Sequence, residues 1–225
     1  MKVSLTTACC NSSQVISENL ESVKSQTGDF QLEHLIQDGV SMDGTLELVR
    51  AYRESVDYDV SITSEKDEGF YDAINKAIGR ASGEVIGLLN SDDWYASNEV
   101  LKLVVKAFEN DSELDVVYGD MDFLRAANET DDEGPDTKKY CVTRKWRPGV
   151  FTSEKFRRGW MPTHPTVYIR KRVFERIGGY RLDMASAADY EWLMRFFMGS
   201  IQEENKLEPT GENRNEQPRP LGRGC

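Results

Sequence analysis

Basic charge is in short supply in this chain. Its 28 Lys and Arg stand against 39 Asp and Glu, a formal net charge of −11 at pH 7. Phosphate backbones want a basic face, so the balance argues against nucleic acid as a partner. It leaves room for a nucleotide, whose few phosphates a bound metal ion neutralises. Histidine is nearly absent, and with only His34 and His164 a histidine-rich metal site is out. The four cysteines form neither a disulfide framework nor a zinc spacing, since Cys9 and Cys10 are adjacent, Cys141 stands alone and Cys225 is last. Long apolar runs are missing as well, none approaching the roughly 18 residues of a membrane span. The opening Met1-Lys2-Val3-Ser4-Leu5 enters a strand-like run rather than a signal peptide, so the expected compartment is the cytoplasm.

What is present suits one soluble α/β domain: 225 residues, 39% hydrophobic and 30% charged. Apolar patterning predicts strands at 2–8, 33–37, 59–63, 84–89 and 115–118, and helices at 13–26, 45–54, 70–81 and 98–109. Strand and helix alternate with short connections. That order predicts right-handed βαβ units and a Rossmann-like, mostly parallel central sheet flanked by helices. In such sheets ligands bind at the carboxyl ends of the strands. The unusual residues fall there: Cys9-Cys10-Asn11, Asp38-Gly39, Glu65-Lys66-Asp67, and Asn90 to Asp93.

The second half breaks the alternation. Residues 126–139 are polar and read as a mobile loop. A second loop, 159–165, surrounds His164, followed by a short strand at 166–170, a helix at 171–177 and a last helix from near Ala187. Beyond Met198 the chain is rich in Pro, Gly and charge, and 199–225 reads as a disordered or non-native tail. The expected domain is therefore 1–198, with halves at 1–120 and 121–198.

Several carboxylates have two readings each. Asp92 and Asp93 after a strand form a hard oxygen set suited to Mg²⁺ or Mn²⁺; they also suit a helix cap. Asp38 at a strand end can accept from a base or ribose, whereas Asp43 reads better as a cap. Asp72, Asn75 and Lys76 share a helix face that either holds a sugar or diphosphate, or is simply solvated. Asp189 near a helix start can serve as a general base or as a cap. Asp120-Met121-Asp122 places two carboxylates on one face of a strand, simply exposed. His164 between two prolines reads as a structural loop histidine, or as a group near a diphosphate or metal. Cys9 and Cys10 lack a base that would make them nucleophiles.

The order of the pieces carries further than any one of them. VSLTTACCNS, QDGVSMDGT, SEKDEGFYDAINKAIGRASGEVIGLLNSDDWY and HPTVYIRKRVFERIGGYRLDMASAADYEWLMR cover most of residues 2–197. In that order they resemble the family 2 glycosyltransferases, the inverting group with the GT-A fold, of the bacterial polysaccharide-biosynthesis type. The resemblance implies a Mn²⁺ or Mg²⁺ ion at Ser91-Asp92-Asp93, bridging the diphosphate of a nucleotide sugar. Asp93 is the implied direct ligand, with Asp92 nearer the ribose or sugar, and with Asp92 and His164 as further metal candidates. Asp38 maps to the residue that contacts the base, which Thr6, Ala8 and Cys10 flank. The family often has Pro-x-Tyr-Asn there, and Ala8-Cys9-Cys10-Asn11 lacks the aromatic.

Glu65 or Asp67 is implied to lie near the nucleotide and donor sugar, with Asn75 on the neighbouring helix among the substrate contacts. Asp189 is the implied catalytic base, although Ala188 replaces the acid that often precedes it. Residues 1–120 then hold the nucleotide sugar, most commonly a UDP sugar, and 121–198 face the acceptor. The implied reaction is hexosyl or N-acetylhexosaminyl transfer to a glycan or lipid-linked saccharide, the latter bringing the protein to the inner face of the cell membrane. A sugar nucleotidyltransferase would need a Gly-rich, basic first loop, and residues 8–14 contain no Gly, Lys or Arg. A non-catalytic nucleotide- or sugar-binding module is the other alternative.

Overall fold

The computed structural model describes residues 1–126 and 140–207. Strand β1 (Lys2–Cys9) is buried along nearly its whole length. Helix α1 (Ile16–Lys24), β2 (Gln31–Asp38), α2 (Thr45–Glu54), β3 (Asp59–Ser64), α3 (Phe70–Arg80), β4 (Val85–Leu88) and α4 (Val100–Asn110) follow in strict alternation. The second half adds β5 (Val116–Val117), β6 (Met121–Ala126), β7 (Tyr140–Trp146), α5 (Ser153–Arg157), β8 (Tyr168–Arg170), α6 (Lys171–Ile177) and α7 (Ala188–Leu207).

The main sheet has six strands in the order β3-β2-β1-β4-β8-β5. The pairs β1–β2, β2–β3 and β1–β4 are parallel, whereas β8 runs antiparallel to both β4 and β5. The expected mostly parallel sheet is therefore present, with its reversal confined to one side. Gly87 on β4 faces Tyr168 on β8. A Cβ at Gly87 would clash with the edge of the Tyr168 ring, so glycine is what lets the ring lie against the strand.

Helices pack on both faces. One core joins Ala73, Ile74 and Ala77 of α3 to Trp192, Leu193, Phe196 and Phe197 of α7. On the other face, Leu101, Val104, Val105 and Phe108 of α4 meet Val3, Leu5 and Val85. Burial of these apolar side chains is the main stabilising contribution, at about 25 cal/mol per Å² removed from water.

Three expectations change. The segment Tyr140–Trp146 is a strand paired antiparallel with β6, a hairpin the sequence pattern does not announce. Helix α7 runs to Leu207, past the boundary expected at Met198. The remaining tail, 208–225, and the expected loop beyond Ala126 lie outside the described residues. Asp120 and Asp122 do lie on one side, and Arg147 bridges them at 3.1 and 2.5 Å.

Candidate functional site

The carboxyl ends of β1, β3 and β4 open onto a cleft of about 470 Å³. Ala8, Cys10 and Ser12 line it after β1, Asp67, Gly69 and Phe70 after β3, and Asn90, Ser91 and Asp92 after β4. The topology brings these together, since β4 and β2 both flank β1 in register. The Ser12 and Ser91 hydroxyls lie 3.2 Å apart and join the first and third of these loops. The Asp67 carboxylate accepts the Gly69 N–H at 2.9 Å, fixing the entry to α3.

Thr6 and Asp38 support the cleft from behind. Thr6 is fully buried, and its hydroxyl donates to the Gly87 carbonyl at 3.0 Å. Asp38 is fully buried as well, accepting from the Ser64 hydroxyl at 2.6 Å and from the Ser41 N–H at 3.1 Å. It thereby shapes the turn through Gly39. The neighbouring Cys9 thiol also donates to Asp38, at 3.9 Å; burial and that carboxylate push its pKa up to about 12. A thiol so held is inert, in line with its rejection as a nucleophile.

Glu65 lies outside the lining of the cleft. It accepts from Gln37 at 3.3 Å and approaches the Lys76 ammonium at 3.8 Å. Lys76 also pairs with Asp72 at 3.0 Å, so the polar face of α3 is satisfied within itself. Asn75, expected among the substrate contacts, is engaged with Tyr180. Its amide donates to the Tyr180 carbonyl at 2.7 Å and accepts the Tyr180 N–H at 2.8 Å. Both ends of the side chain are thus engaged in clamping the turn before α7.

The Asp pair is no helix cap, because α4 starts at Val100 with Glu99 before it. Asp92 is exposed and Asp93 half-buried. Burial, and then the charge of Asp92, raise the Asp93 pKa, opposed by a 2.8 Å hydrogen bond from Asn90. Asn19 pins this loop by donating to the carbonyls of Asn90 (2.7 Å) and Asp93 (3.0 Å). The Asn90 side-chain oxygen is buried without a partner. Two carboxylates and an orphaned amide oxygen are hard donors that fit Mg²⁺ or Mn²⁺. No three His, Cys, Asp or Glu gather as a metal site among the described residues.

His164 stands apart from that pair. Its Nε2 meets the Tyr180 hydroxyl at 3.0 Å and its Nδ1 lies 3.9 Å from Asp189. Asp189 sits in the first turn of α7, partly exposed, and accepts the Tyr190 N–H at 2.8 Å. Burial raises the pKa of both neighbouring tyrosines, with the charge of Asp189 as a second cause, taking Tyr71 to about 12. The turn below is fixed from several sides, since Arg195 donates to the Gly179 carbonyl at 2.7 Å and Trp192 to that of Gly178 at 2.8 Å. A carboxylate in that position can take a proton from a hydroxyl brought to it.

Sequence reasoning missed Ser12, Gly69 and Phe70 as cleft residues. Phe70, 41% exposed at the start of α3, gives the cleft the aromatic wall that the first loop lacks. An exposed Phe directly after Gly69 was the available signal.

Known proteins place this geometry. A family model described as Glycosyl transferase family 2 matches residues 4–178. An uncharacterized glycosyltransferase of Mycobacterium tuberculosis is 28% identical over 195 residues, covering 86% of this chain and 68% of that protein. A PGL/p-HBAD biosynthesis glycosyltransferase of Mycobacterium bovis is 27% identical over 188 residues, covering 83% and 66%. Among solved structures, S. aureus TarS 1–349 in complex with UDP matches with a TM-score of 0.61 at 23% identity, covering 86% of this chain and 54% of that one. The mannosyltransferase PcManGT from Pyrobaculum calidifontis, in complex with GDP-Man and Mn²⁺, matches with a TM-score of 0.62 at 19% identity, covering 88% and 52%. The chain thus spans about half the length of these structures, and the shared architecture is the GT-A fold. With the matched model running through the strand-end loops and the Asp pair, the chain belongs to glycosyl transferase family 2.

Proposed function

We propose that this chain is a metal-dependent, inverting glycosyltransferase. It moves a sugar from a nucleotide-diphosphate sugar, with UDP as the expected nucleotide, to a hydroxyl of a glycan or lipid-linked saccharide. The observation that carries the reading is the convergence of Asp67, Ser91 and Asp92 on one strand-end cleft. UDP, UDP-GlcNAc and GDP-Man in the complexes of structural relatives support a donor of this class.

In this reading the nucleotide lies over Ala8 and Cys10, against Phe70. Asp38 and Thr6 hold the loops that shape its seat. Asp93, joined by Asp92, would hold the divalent ion, which supplies positive charge against the diphosphate leaving group. Asp189 removes the proton from the acceptor hydroxyl, whose oxygen attacks the anomeric carbon from the face opposite the nucleotide. The bond to the diphosphate breaks as the new glycosidic bond forms, so the configuration inverts. Asn75, acting through Tyr180 and His164, keeps the base in place.

The test is nucleotide release from UDP- and GDP-sugars with Mn²⁺, comparing wild type with Asp189→Ala and Asp93→Ala. Asp189→Ala is expected to lose roughly 10²–10⁴-fold in turnover while still binding the nucleotide. Asp93→Ala is expected to lose the Mn²⁺-dependent part of nucleotide binding. Wild-type behaviour of both variants in a working assay rejects the assigned roles.

A further inference from the structure

A second cavity, of about 720 Å³, adjoins the first and shares Asn90 and Asp92 with it. Its volume is in the range of small-molecule sites, about 300–1,000 Å³. The walls come from the loop after β4, from α4 and from β6, and are mainly apolar: Trp94, Val100, Leu103, Met121, Phe123 and Leu124. Leu103 and Leu124 remain 47% and 38% exposed, although a fold this size has other apolar surface to bury them against. The acidic rim is quenched on one side, where Arg147 pairs with Asp120 and Asp122.

The cavity also borders the loop that carries His164. Pro165 and Thr166 line it, and the preceding His164 lies 3.9 Å from Asp189. A group filling it therefore lies against the Asp pair and against Pro165 and Thr166. Bare saccharide is a poor match for these walls. The aromatic rings that a sugar face would stack on already have partners, Arg144 over Phe123 at 5.2 Å and Tyr140 against Trp94 at 5.0 Å. Away from the acidic edge formed by Glu18, Asp92, Asp93, Asp120 and Asp122, the wall is mainly apolar and attracts apolar area.

We infer that this cavity receives an apolar aglycone, an alkyl chain attached to the acceptor saccharide. The inference rests on the transferase reading above and narrows its acceptor to a lipid-linked class. The chain then packs under Leu103 and Leu124 while the sugar hydroxyl is presented toward Asp189.

The experiment uses the full chain with UDP and Mn²⁺ present. Binding of n-octyl β-glucoside, below its micelle concentration, is compared with that of methyl β-glucoside by titration calorimetry. Burial of the added methylenes predicts octyl binding tighter by at least about ten-fold. Leu103→Glu and Leu124→Glu, both at half-exposed positions where folding tolerates charge, are expected to erase that difference with UDP affinity unchanged. Equal binding of the two glycosides by wild type overturns the inference, and so does wild-type octyl binding by both variants. Failure of UDP to bind would instead strike the donor reading, leaving the glycoside comparison to stand on its own result.

Discussion

The imidazole of His164 lies between the Tyr180 hydroxyl, 3.0 Å from its Nε2, and the Asp189 carboxylate, 3.9 Å from its Nδ1. The second distance is too long for a hydrogen bond. Burial lowers the His164 pKa, outweighing the opposite pull of Asp189. At pH 7 the ring is therefore neutral. In the proposed mechanism it is a spacer that positions Asp189.

Removing that spacer should affect chemistry more than donor binding. His164→Ala is expected to lower kcat roughly ten- to a hundred-fold, with the donor KM within about two-fold of wild type, because a misplaced base loses its alignment with the acceptor. Tyr180→Phe, which keeps the ring and removes only the hydroxyl, should lie between the two. Steady-state kinetics decides it, and an unchanged kcat for His164→Ala would remove the positioning role.

In the proposed metal site, the raised pKa of Asp93 should make cation binding pH-dependent. A proton competes with the metal for that carboxylate, so Mn²⁺ affinity in the presence of UDP should weaken with acid while an ordinary carboxylate is still ionised. Asp92→Asn removes the second-largest cause of the shift. The variant is expected to bind Mn²⁺ more weakly at pH 7 but to hold its affinity to lower pH. Calorimetric titrations from pH 7 to pH 5 follow both effects, and parallel curves for the two proteins would refute the coupling.

Cys9 and Cys10 should differ sharply toward alkylation. Cys9 is buried with its pKa raised to about 12, whereas Cys10 is exposed and lines the proposed nucleotide seat. Brief treatment of native protein with iodoacetamide is expected to label Cys10 and spare Cys9, and UDP with Mn²⁺ should protect Cys10. Peptide mass spectrometry reads both; labelling of Cys10 that is indifferent to nucleotide argues against a seat at this loop.

His34 makes stability acid-sensitive. It is fully buried on β2, between the Thr7 and Tyr52 hydroxyls at 2.9 Å each, and burial lowers its pKa to about 3. The unfolded chain titrates near 6.5 and takes up a proton that the folded chain refuses. Stability from this group is thus full above about pH 6.5 and is lost at up to about 1.4 kcal/mol per unit as pH falls toward 3. Urea unfolding at pH 7 and pH 5 should show a loss of about 2 kcal/mol in wild type, and a smaller one in His34→Gln. Equal slopes would mean the histidine is protonated in place.

The alternation of β1 to α4 was legible because each element carries its own period and each strand ends in polar turn residues. Helix α1 begins at Ile16 rather than 13, and the Ser12 and Ser13 N–H groups before it are taken by Thr45 and Asp43, at 2.8 and 3.0 Å. The direction of β8 could not be read, since its antiparallel pairing depends on how the chain returns after the β6–β7 hairpin.

At the site, the Asp92-Asp93 pair was visible because two adjacent carboxylates after an apolar strand are locally unfavourable. The burial of Thr6 and Asp38 was not visible, because alternation along β1 and β2 is hidden when both faces are covered. The pairing of Asn75 was not visible because its partner Tyr180 lies 105 positions away, beyond any local pattern. The apolar cavity escaped for the same reason, its walls being spread over three separate elements.

The place of β8 in the sheet also sets a timetable. Val116 and Val117 of β5 pair with Ile169 and Tyr168 of β8, and β8 alone joins β5 to β4. A nascent chain that has left the ribosome only as far as residue 120 can assemble β1 to β4, but β5 has no strand to pair with. Sheet closure waits for Tyr168 to emerge, by which time the hairpin strands have also been synthesised. A stall between β5 and β8 therefore leaves the core under α4 without Tyr168 and the edge of β4 unpaired, and that intermediate is the one a chaperone would have to shield.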